Sequence, residues 1–536
     1  MDPKLENAAE VLDYMDEHMA TTEFRGETQK FLPNPNFDIV TSERVIRNLV
    51  SKDRQLYIGE LENEEFVHRV RREGRKMFAT CIFGEFPLTC LKALFEDGLS
   101  DAKFPFEEKD CPGQIKKRKF CGSFIGNQKL FNPAYLHTNS EQKWDGRVTK
   151  PIEYSESKSA LLGQGAFGDV YEIRIHPSQR SFSSGANKCG FFAMKVTQHE
   201  GTREVSFHRA MANLSHHHLL KCLASFTFSS QYNMIYEKAD CDVEKFMARY
   251  SDPRKLPGMT SDNLAQQLFG LADALSVIHN QGQSEPANSA TLLVPGAENQ
   301  KTGYIHDIKP ENLLMFIYNQ NGKKTYWFRL SGFSCAKVVD VLTSVSGKNR
   351  HSWKTVSKAG TPVYRAPEAT AKGKTSRPYD LWSLGCVYLE LLVWFLDGYT
   401  ALTEFREKRE CLVSPGGRED EGFYYTPKEN DQFRLREVVL QRIESVTSRC
   451  KGPLKDIANA IPKLLQIDPQ QRPSAKSLVE DLKHINTGAR PPVEVGPSEQ
   501  SNFAGTSHLS VPLYVSDSDS DPNFGSVVRI QQPTNK

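Results

Sequence analysis

The sequence predicts an α+β fold with a small β-rich part followed by a larger helical part, called below the small and the large lobe. Three observations support this prediction. Residues 161–195 show the pattern strand, glycine turn, strand, loop and strand. Helical periodicity then dominates from about 200 to 483. The composition of the 536 residues, 38% hydrophobic and 25% charged, is typical of a globular protein of two or three domains.

Two regions precede the lobes. Residues 1–108 carry apolar side chains at helical spacing and predict a helical N-terminal region. Residues 109–154 mix Pro, Gly, Lys and Asn without a period and predict a connector. Within the connector, Lys116–Lys119 is a short basic run. It is either a solvated charge cluster or a nuclear-import signal.

The remaining chain divides into the two-lobed domain and a tail. We expect the domain at residues 155–485, with the small lobe at about 155–240 and the large lobe at about 241–485. Residues 486–536 are rich in Pro, Ser, Asn and Gln and lack periodicity. Such a composition cannot bury enough apolar surface to offset ordering, so we expect a disordered tail.

Charge and cysteine usage exclude several classes of protein. The net charge of +2 gives no overall field that would favour nucleic acid or a membrane surface as a partner. The acidic, polar start shows no signal peptide, and the apolar stretch Cys386–Leu396 is about half a membrane span, so we expect a core helix there. Eleven scattered cysteines without a CxxC pair predict an intracellular, cytoplasmic or nuclear location and no zinc site.

The first chemical motif is a glycine-rich loop followed by a lysine. Gly163, Gly165 and Gly168 are spaced for a hairpin whose backbone can approach phosphates, and Val170 continues as a strand. In dinucleotide-binding folds a helix would follow the same spacing. Lys195 lies in the next apolar run, where an anionic phosphate would offset its burial.

Lys195 needs a carboxylate to hold it, and Glu204 is the candidate. Glu204 shares a helical stripe with Phe207 and Met211, so it would point inward. The alternative is a surface glutamate, because the spacing from Glu204 to the following histidine run is about three residues longer than is usual.

The second motif is a loop with three polar side chains, Asp307, Lys309 and Asn312, at positions i, i+2 and i+5. The pattern suits an aspartate that accepts a hydroxyl proton, a lysine that neutralises a γ-phosphate and an asparagine that coordinates a metal ion. With the glycine loop and Lys195, this D-x-K-P-E-N run resembles the protein kinase superfamily, in its serine/threonine branch. The long insertions are similar to those of fungal proteins with a protein kinase domain.

The resemblance implies a two-lobed protein-kinase-like fold that binds ATP between the lobes. Glu237 and Ala239 would lie in the inter-lobe hinge beside the adenine, with Tyr236 at the back of the pocket. Thr361 resembles the residue that seats a hydroxyl substrate. Other matches imply scaffold roles: Glu368 paired with Arg472, and Asp380 bound to backbone N–H groups of the catalytic loop.

Two positions depart from the family pattern. His306 stands where an arginine usually ties the catalytic loop to a phosphorylated activation segment, which makes a switch of that kind less expected. Gly332-Phe333-Ser334 stands in place of D-F-G, so the aspartate that binds Mg²⁺ is missing. We expect Mg²⁺ or Mn²⁺ to bind weakly, through Asn312, and Gly332→Asp to raise any activity.

The expected function is transfer of the γ-phosphate of ATP to Ser or Thr hydroxyls of a protein, with weakened or metal-atypical activity. The alternative is a pseudokinase scaffold that binds nucleotide or partners without phosphotransfer. A third hypothesis gives the main role to the N-terminal region and the tail. Candidate phosphorylation sites between the GFS run and Glu368 are Ser344, Ser346, Thr355 and Ser357.

Overall fold

The structure is a computed structural model. It describes residues 3–53, 56, 60–110, 120–165, 167–183, 190–198, 203–212, 214–280, 300–320, 322–341, 355–356, 361–372, 374–410, 422–426 and 432–491. Several sequence predictions lie outside these residues: the basic run Lys116–Lys119, the tail beyond residue 491, and the candidate phosphorylation sites Ser344, Ser346 and Ser357.

The N-terminal region is mainly helical, as predicted. Its helices are α1 (Ala8–Glu17), α2 (Asn34–Val40), α3 (Glu43–Lys52), α4 (Glu60–Glu73), α5 (Arg75–Phe83) and α6 (Leu88–Glu96). Their apolar stripes meet in one core that includes Val11, Val45, Met77, Phe78 and Leu91. Burial of this stripe, more than helix propensity, is what stabilises such short helices.

A hairpin that the helical prediction missed interrupts this region. Strands β1 (Ala20–Phe24) and β2 (Glu27–Phe31) pair antiparallel. Arg25 and Gly26 both have positive φ, 55° and 78°, as a tight two-residue hairpin turn requires. Phe24, at the end of β1, is buried in the core of the small lobe and not in the helical core. The hairpin therefore connects the two parts.

The small lobe is built on a seven-stranded sheet. Its strands are β3 (Ser140–Lys143), β4 (Ile152–Glu153), β5 (Leu161–Gly165), β6 (Gly168–Ile175), β7 (Phe191–Thr197), β8 (Cys222–Phe228) and β9 (Gln231–Glu237). The order is β3-β8-β9-β7-β6-β4, with β5 also paired to β6. One helix, α8 (Arg203–Ala210), packs beside the sheet.

The predicted connector is different from the expectation. It contains α7 (Phe120–Asn127) and contributes β3 and β4 to the sheet of the small lobe. The side chains of β3, Ser-Glu-Gln-Lys, show no apolar alternation, so the period-2 signal of a strand is absent. Pairing with β8 supplies the order instead. The sheet thus begins before residue 155.

The large lobe is mostly helical and surrounds one core. Its helices are α9 (Val243–Arg249), α10 (Ser261–His279), α11 (Pro367–Lys372), α12 (Arg377–Glu410), α13 (Glu437–Arg449), α14 (Pro453–Leu464) and α15 (Ala475–Leu482). Short strands flank the core: β10 (Cys241–Asp242), β11 (Gln300–Tyr304), β12 (Leu313–Gln320), β13 (Lys323–Leu330), β14 (Lys337–Val341), β15 (Thr355–Val356), β16 (Lys374–Thr375), β17 (Tyr424–Tyr425) and β18 (Arg434–Leu435). This arrangement confirms the predicted α+β, two-lobed fold.

Helix α12 forms the centre of the large lobe. By length and composition its residues Arg377–Arg409 could cross a membrane, but 78% of the most apolar stretch is buried inside the protein. Leu384, Leu391 and Trp394 are fully buried there. The predicted role as a core helix agrees with this packing.

The described cysteines are not all thiols, although the predicted intracellular location favours thiols. Seven are thiols: Cys81, Cys90, Cys222, Cys241, Cys335, Cys386 and Cys450. Cys121, at the start of α7, is disulfide-bonded. Cysteine spacing in the sequence gives no sign of that bond.

Two buried histidines predict a loss of stability in acid. Burial lowers the pKa of His176 to about 4 and that of His218 to about 3. Since an unfolded histidine titrates near pH ~6.5, the unfolded state binds more protons below that pH, and stability falls as the pH drops toward the folded pKa. We expect a loss of about 2–3 kcal/mol per histidine between pH 7 and pH 4.5.

Urea unfolding at these two pH values measures this loss. His176→Asn removes one titrating ring and should make the pH dependence shallower. An identical dependence in the variant would show that His176 does not contribute.

Candidate active site

The glycine hairpin forms from β5 and β6. Gly163 lies opposite Val170, and Gly165 lies opposite Gly168. Gly168 has φ 136°, and a Cβ there would lie 2.3 Å from the carbonyl oxygen of Val196, so no other residue fits without a backbone shift. The predicted glycine residues therefore lie on two paired strands, the second of which pairs with β7.

Lys195 and Glu204 are brought together across the small lobe. Strand β7 carries Lys195 opposite Val170, and α8 carries Glu204. Lys195 Nζ donates to Glu204 Oε2, and Glu204 is 4% exposed. The ion pair is shielded from water, and each charge offsets the cost of burying the other.

Ser334 completes this ion pair, a contact that the sequence reading missed. Its hydroxyl accepts a hydrogen bond from Lys195 Nζ at 2.9 Å and donates one to Glu204 Oε2 at 2.8 Å. Ser334 stands where the family has glycine, and this departure is the feature of the sequence that points to a role for Ser334. The hydroxyl links the lysine and glutamate of the small lobe to the loop that follows β13.

Aromatic side chains of neighbouring segments pack against α8 and hold it in position. The ring of Phe207 on α8 stacks on Phe333, with centroids 4.7 Å apart at 18°. The hydroxyl of Tyr236 lies 2.8 Å from His208 Nε2. Tyr236 is 5% exposed, and burial raises its pKa well above the ordinary value. Tyr236, which is predicted to lie at the back of the adenine pocket, thus contacts α8 directly.

The hinge follows β9 and is tied to the large lobe. Arg329 on β13 donates to Glu237 Oε2 at 2.5 Å and to the Tyr318 hydroxyl at 2.8 Å. The backbone N–H of Ile317 donates to Asp240 at 2.7 Å. Because the Glu237 side chain is engaged by Arg329, the hinge would meet an adenine with its backbone, at Glu237 and at the half-buried Ala239.

Asp307 is the centre of a hydrogen-bond cluster. Its Oδ1 accepts from the backbone N–H and the hydroxyl of Thr361, both at 2.9 Å. Its Oδ2 accepts from Asn312 Nδ2 at 2.8 Å and lies 3.7 Å from Lys309 Nζ. Lys309 also donates to the Thr361 hydroxyl at 2.6 Å. A hydroxyl therefore already bridges the predicted base and the predicted phosphate-binding lysine.

Asp380 holds the catalytic loop from below, as predicted. It is fully buried and accepts from the backbone N–H groups of Ile305 at 3.0 Å and His306 at 2.8 Å, and from His279 Nε2 at 3.0 Å. Burial opposes ionisation, but these donors outweigh it and lower the pKa of Asp380. The loop backbone is thereby fixed.

His306, which replaces the usual arginine, is part of the core beneath the loop. Its ring is 1% exposed, stacks parallel to Tyr304 and meets Tyr379 edge-on. Burial lowers its pKa, so the neutral form is favoured at pH 7. A neutral, buried ring does not offer the charge with which an arginine binds a phosphate.

The loop at Gly332 offers few ligands for a divalent cation. Its φ is 72°, and a Cβ would lie 2.4–2.7 Å from the Asn312 side chain. Asn312 Nδ2 donates to Asp307, which leaves the amide oxygen for a cation. The described residues hold no group of three or more His, Cys, Asp or Glu side chains suited to a metal. Mg²⁺ at a nucleotide is usually held by one or two carboxylates together with phosphates and water, and Gly332 supplies no carboxylate.

Two buried ion-pair groups support this frame. Arg472 binds Glu368 through both guanidinium nitrogens at 2.8 Å. The second group was not predicted: Glu390 is fully buried on α12 and accepts from Arg406, Arg409 and the Tyr364 hydroxyl at 2.6–2.9 Å. Tyr364 lies three residues after Thr361, so Glu390 fixes the segment that contacts Asp307.

The contacts form one continuous chain from the small lobe to the large lobe. Lys195 and Glu204 bind Ser334, two residues after Gly332. Gly332 abuts Asn312, which binds Asp307. Among the described residues, the structure thus groups the predicted catalytic side chains with Lys195 and Glu204, and the glycine hairpin with Lys195.

The chain is similar to known proteins at modest identity. The chain matches the protein kinase domain family over residues 157–482. It is 24% identical to the probable serine/threonine-protein kinase CST of Arabidopsis thaliana over 331 residues, which are 61% of this chain and 67% of the relative.

Two animal kinases also match. The chain is 23% identical to human dual specificity tyrosine-phosphorylation-regulated kinase 3 over 48% of this chain and 35% of the relative. It is 25% identical to the serine/threonine-protein kinase fused of Drosophila melanogaster over 43% of this chain and 23% of the relative. The chain therefore spans well under half the length of these two relatives. Because the family match covers more than half of the chain, this protein belongs to the protein kinase domain family.

Proposed function

We propose that this protein transfers the γ-phosphate of ATP to serine or threonine hydroxyls of a protein substrate. Protein kinases use ATP and Mg²⁺ and act on proteins, and the relatives include Ser/Thr kinases. The observation that carries the proposal is the Thr361 hydroxyl, which donates to Asp307 and accepts from Lys309. A substrate hydroxyl in its place would have its proton acceptor and a cation beside it.

The reaction needs a base, a leaving group and positive charge. Asp307 accepts the proton of the substrate hydroxyl, whose oxygen forms a bond to the γ-phosphorus. The bond from that phosphorus to the β–γ bridging oxygen breaks, and ADP leaves with the electron pair. Lys309 and Lys195 stabilise the negative charge on the phosphates. Asn312 keeps the Asp307 carboxylate oriented.

Nucleotide binding is assigned to the small lobe and the hinge. The backbone of Gly163, Gly165 and Gly168 would lie over the phosphates, and Val170 would contact the base. Glu204 holds Lys195 in position. The hinge backbone at Glu237 and Ala239 would bind the adenine edge.

Metal dependence is proposed to be weak. Asn312 is the one predicted ligand, and Gly332 supplies no carboxylate. The oxygens that Mg²⁺ or Mn²⁺ needs would come largely from the nucleotide and water. The proposed partners are ATP and a protein in an intracellular, cytoplasmic or nuclear compartment, with no nucleic acid or membrane.

The test is transfer of radiolabelled γ-phosphate to a mixed library of Ser, Thr and Tyr peptides, with Mg²⁺ or Mn²⁺ varied. We expect label on Ser and Thr peptides at a low rate. Label on Tyr peptides alone would contradict the assigned hydroxyl class, and an absence of label under all conditions would contradict phosphotransfer.

A pseudokinase scaffold is the second candidate, and Gly332 is the observation that favours it. Loss of the metal carboxylate removes electrostatic stabilisation worth several powers of ten in rate. A scaffold would bind nucleotide equally well with and without metal and would transfer no label. Transfer of label separates the two candidates, and a thermal-shift titration with ATP in EDTA and in Mg²⁺ measures how far nucleotide binding depends on the metal.

Replacing Gly332 by aspartate is expected to raise the rate of phosphotransfer, and measuring this gain needs a matched control variant. The added Cβ pushes against Asn312, and the positive φ adds strain, so part of any effect is steric. Gly332→Ala introduces the same Cβ without the carboxylate. We expect Gly332→Asp to exceed Gly332→Ala in rate by at least about tenfold and to depend more steeply on Mg²⁺.

Phosphotransfer rates of the two variants against Mg²⁺ concentration measure this difference. Equal rates would show that a carboxylate at this position does not contribute. A gain of Gly332→Asp over the native glycine requires Asn312 to move without leaving Asp307.

A further inference from the structure

Strand β3 joins the small lobe at an edge of its sheet. It pairs parallel to β8, with Ser140 opposite Ala224 and Lys143 opposite Thr227. Backbone bonds extend the pairing at both ends: Asn139 N–H donates to Leu223 O at 2.7 Å, and the N–H of Trp144 donates to Thr227 O at 2.8 Å. The segment before the matched kinase domain is therefore part of its sheet.

The side chains after β3 anchor it firmly. Trp144 is 5% exposed, and its ring stacks on Phe226 with centroids 3.8 Å apart at 16°. Its indole N–H donates to Gln142 at 2.8 Å. A buried, stacked tryptophan fixes the strand in register, because a slip of one residue would turn this ring to the other face of the sheet.

From this anchored strand, Glu141 reaches to α8. Both of its carboxylate oxygens accept from Arg209, one from Nε at 2.8 Å and the other from Nη2. Arg209 lies five residues after Glu204 on the same short helix. The Arg209 guanidinium also lies 5.7 Å from the Tyr232 ring centre. The pair lowers the pKa of Glu141, so the carboxylate is charged at neutral pH.

The space between β3 and α8 is not filled by packed side chains. A cavity of about 190 Å³ lies there, lined by residues of β3, α8, β8 and β9 that include Glu141, Arg209, Phe207 and Tyr232. The ion pair of Glu141 with Arg209 spans this space. An eight-residue helix has little stability of its own, so contacts of this kind contribute to its position together with the packing of Phe207 on Phe333.

We propose that β3 holds α8 in place through Glu141 and Arg209, and that Glu141 is thereby a positioning residue for the Lys195–Glu204 pair. Its effect on catalysis rests on the proposed function, whereas the contact itself does not. The kinase domain would thus have a segment, N-terminal to the glycine hairpin, that helps to position α8.

A charge-swap cycle in the full chain tests this proposal. Glu141→Arg and Arg209→Glu each place like charges together, and the double variant restores an opposite pair. We measure hydrogen exchange of the α8 amides and the affinity for ADP. Each single variant should exchange about two- to fivefold faster in α8 and bind ADP about two- to fivefold more weakly, and the double variant should recover both.

Glu64→Arg is the matched control, because Glu64 pairs with Arg47 in the N-terminal region and not with α8. It should change neither measurement. If a reversal prevents folding, Glu141→Gln and Arg209→Gln replace it, with the same direction of change expected. Unchanged α8 exchange in the single variants, or no recovery in the double variant, would overturn the proposal.

These measurements do not require turnover. If α8 responds and the native protein transfers no phosphate, the proposed function fails while the role of β3 stands. If α8 does not respond and phosphate transfer is normal, the role of β3 fails while the proposed function stands.

Discussion

Replacing Asp307 by asparagine is expected to slow γ-phosphate transfer by about 10²–10⁴-fold while ATP still binds. The asparagine oxygen can still accept from the Thr361 N–H and hydroxyl, whereas its amide nitrogen cannot accept from Asn312 Nδ2 as the carboxylate does. The amide cannot take up the proton of the substrate hydroxyl. The loss should therefore fall on the rate constant of transfer and spare the affinity for ATP.

Single-turnover transfer of radiolabelled phosphate and the affinity for ATP together measure this effect. Asp262→Asn, at an exposed carboxylate in the first turn of α10, is the control and should behave as the native protein. A full rate in Asp307→Asn would eliminate Asp307 as the base.

Replacing Arg472 by methionine is expected to lower the free energy of unfolding by about 3–5 kcal/mol. The Arg472 side chain is fully buried and Glu368 is 12% exposed, so the variant leaves a nearly buried carboxylate without its cation. Arg472 also donates to the backbone carbonyls of Gln466 and Pro378 at 2.8–2.9 Å, and these acceptors would lose their donor.

Urea unfolding compares this variant with Arg449→Met. Arg449 forms an ion pair with Asp397 but is 45% exposed, so we expect a change of no more than about 1 kcal/mol. The double variant Glu368→Leu with Arg472→Met removes both charges and should recover part of the loss. Equal losses for Arg472→Met and Arg449→Met would refute the importance of burial here.

The sequence predicts the site well where motif spacing is short and chemically specific. Asp307, Lys309 and Asn312 lie within six residues, so a single loop fixes their relation. The pairing of Lys195 with Glu204 depends on how α8 packs, yet the inward stripe through Phe207 was enough to indicate it. Each of these side chains has few partners that could offset its burial.

The sequence does not predict contacts between polar residues that are far apart along the chain. Ser334, Arg329 and Glu390 gain their roles from partners 11 to 139 positions away, and no local period reveals such pairs. Strand β3 is not predicted for a related reason. Its polar side chains show no alternation, and its order comes from pairing with β8. The positive φ of Gly332 is likewise a property of the folded loop.

ATP affinity of the native protein and of Lys195→Met, measured by calorimetry in EDTA and in Mg²⁺, tests the central claim most directly. A cleft that binds a triphosphate through the glycine hairpin and Lys195 predicts saturable binding by the native protein. The variant should bind at least about tenfold more weakly, as expected for loss of a charge-assisted contact. Equal affinities for both proteins, or no binding by the native protein, would contradict the account.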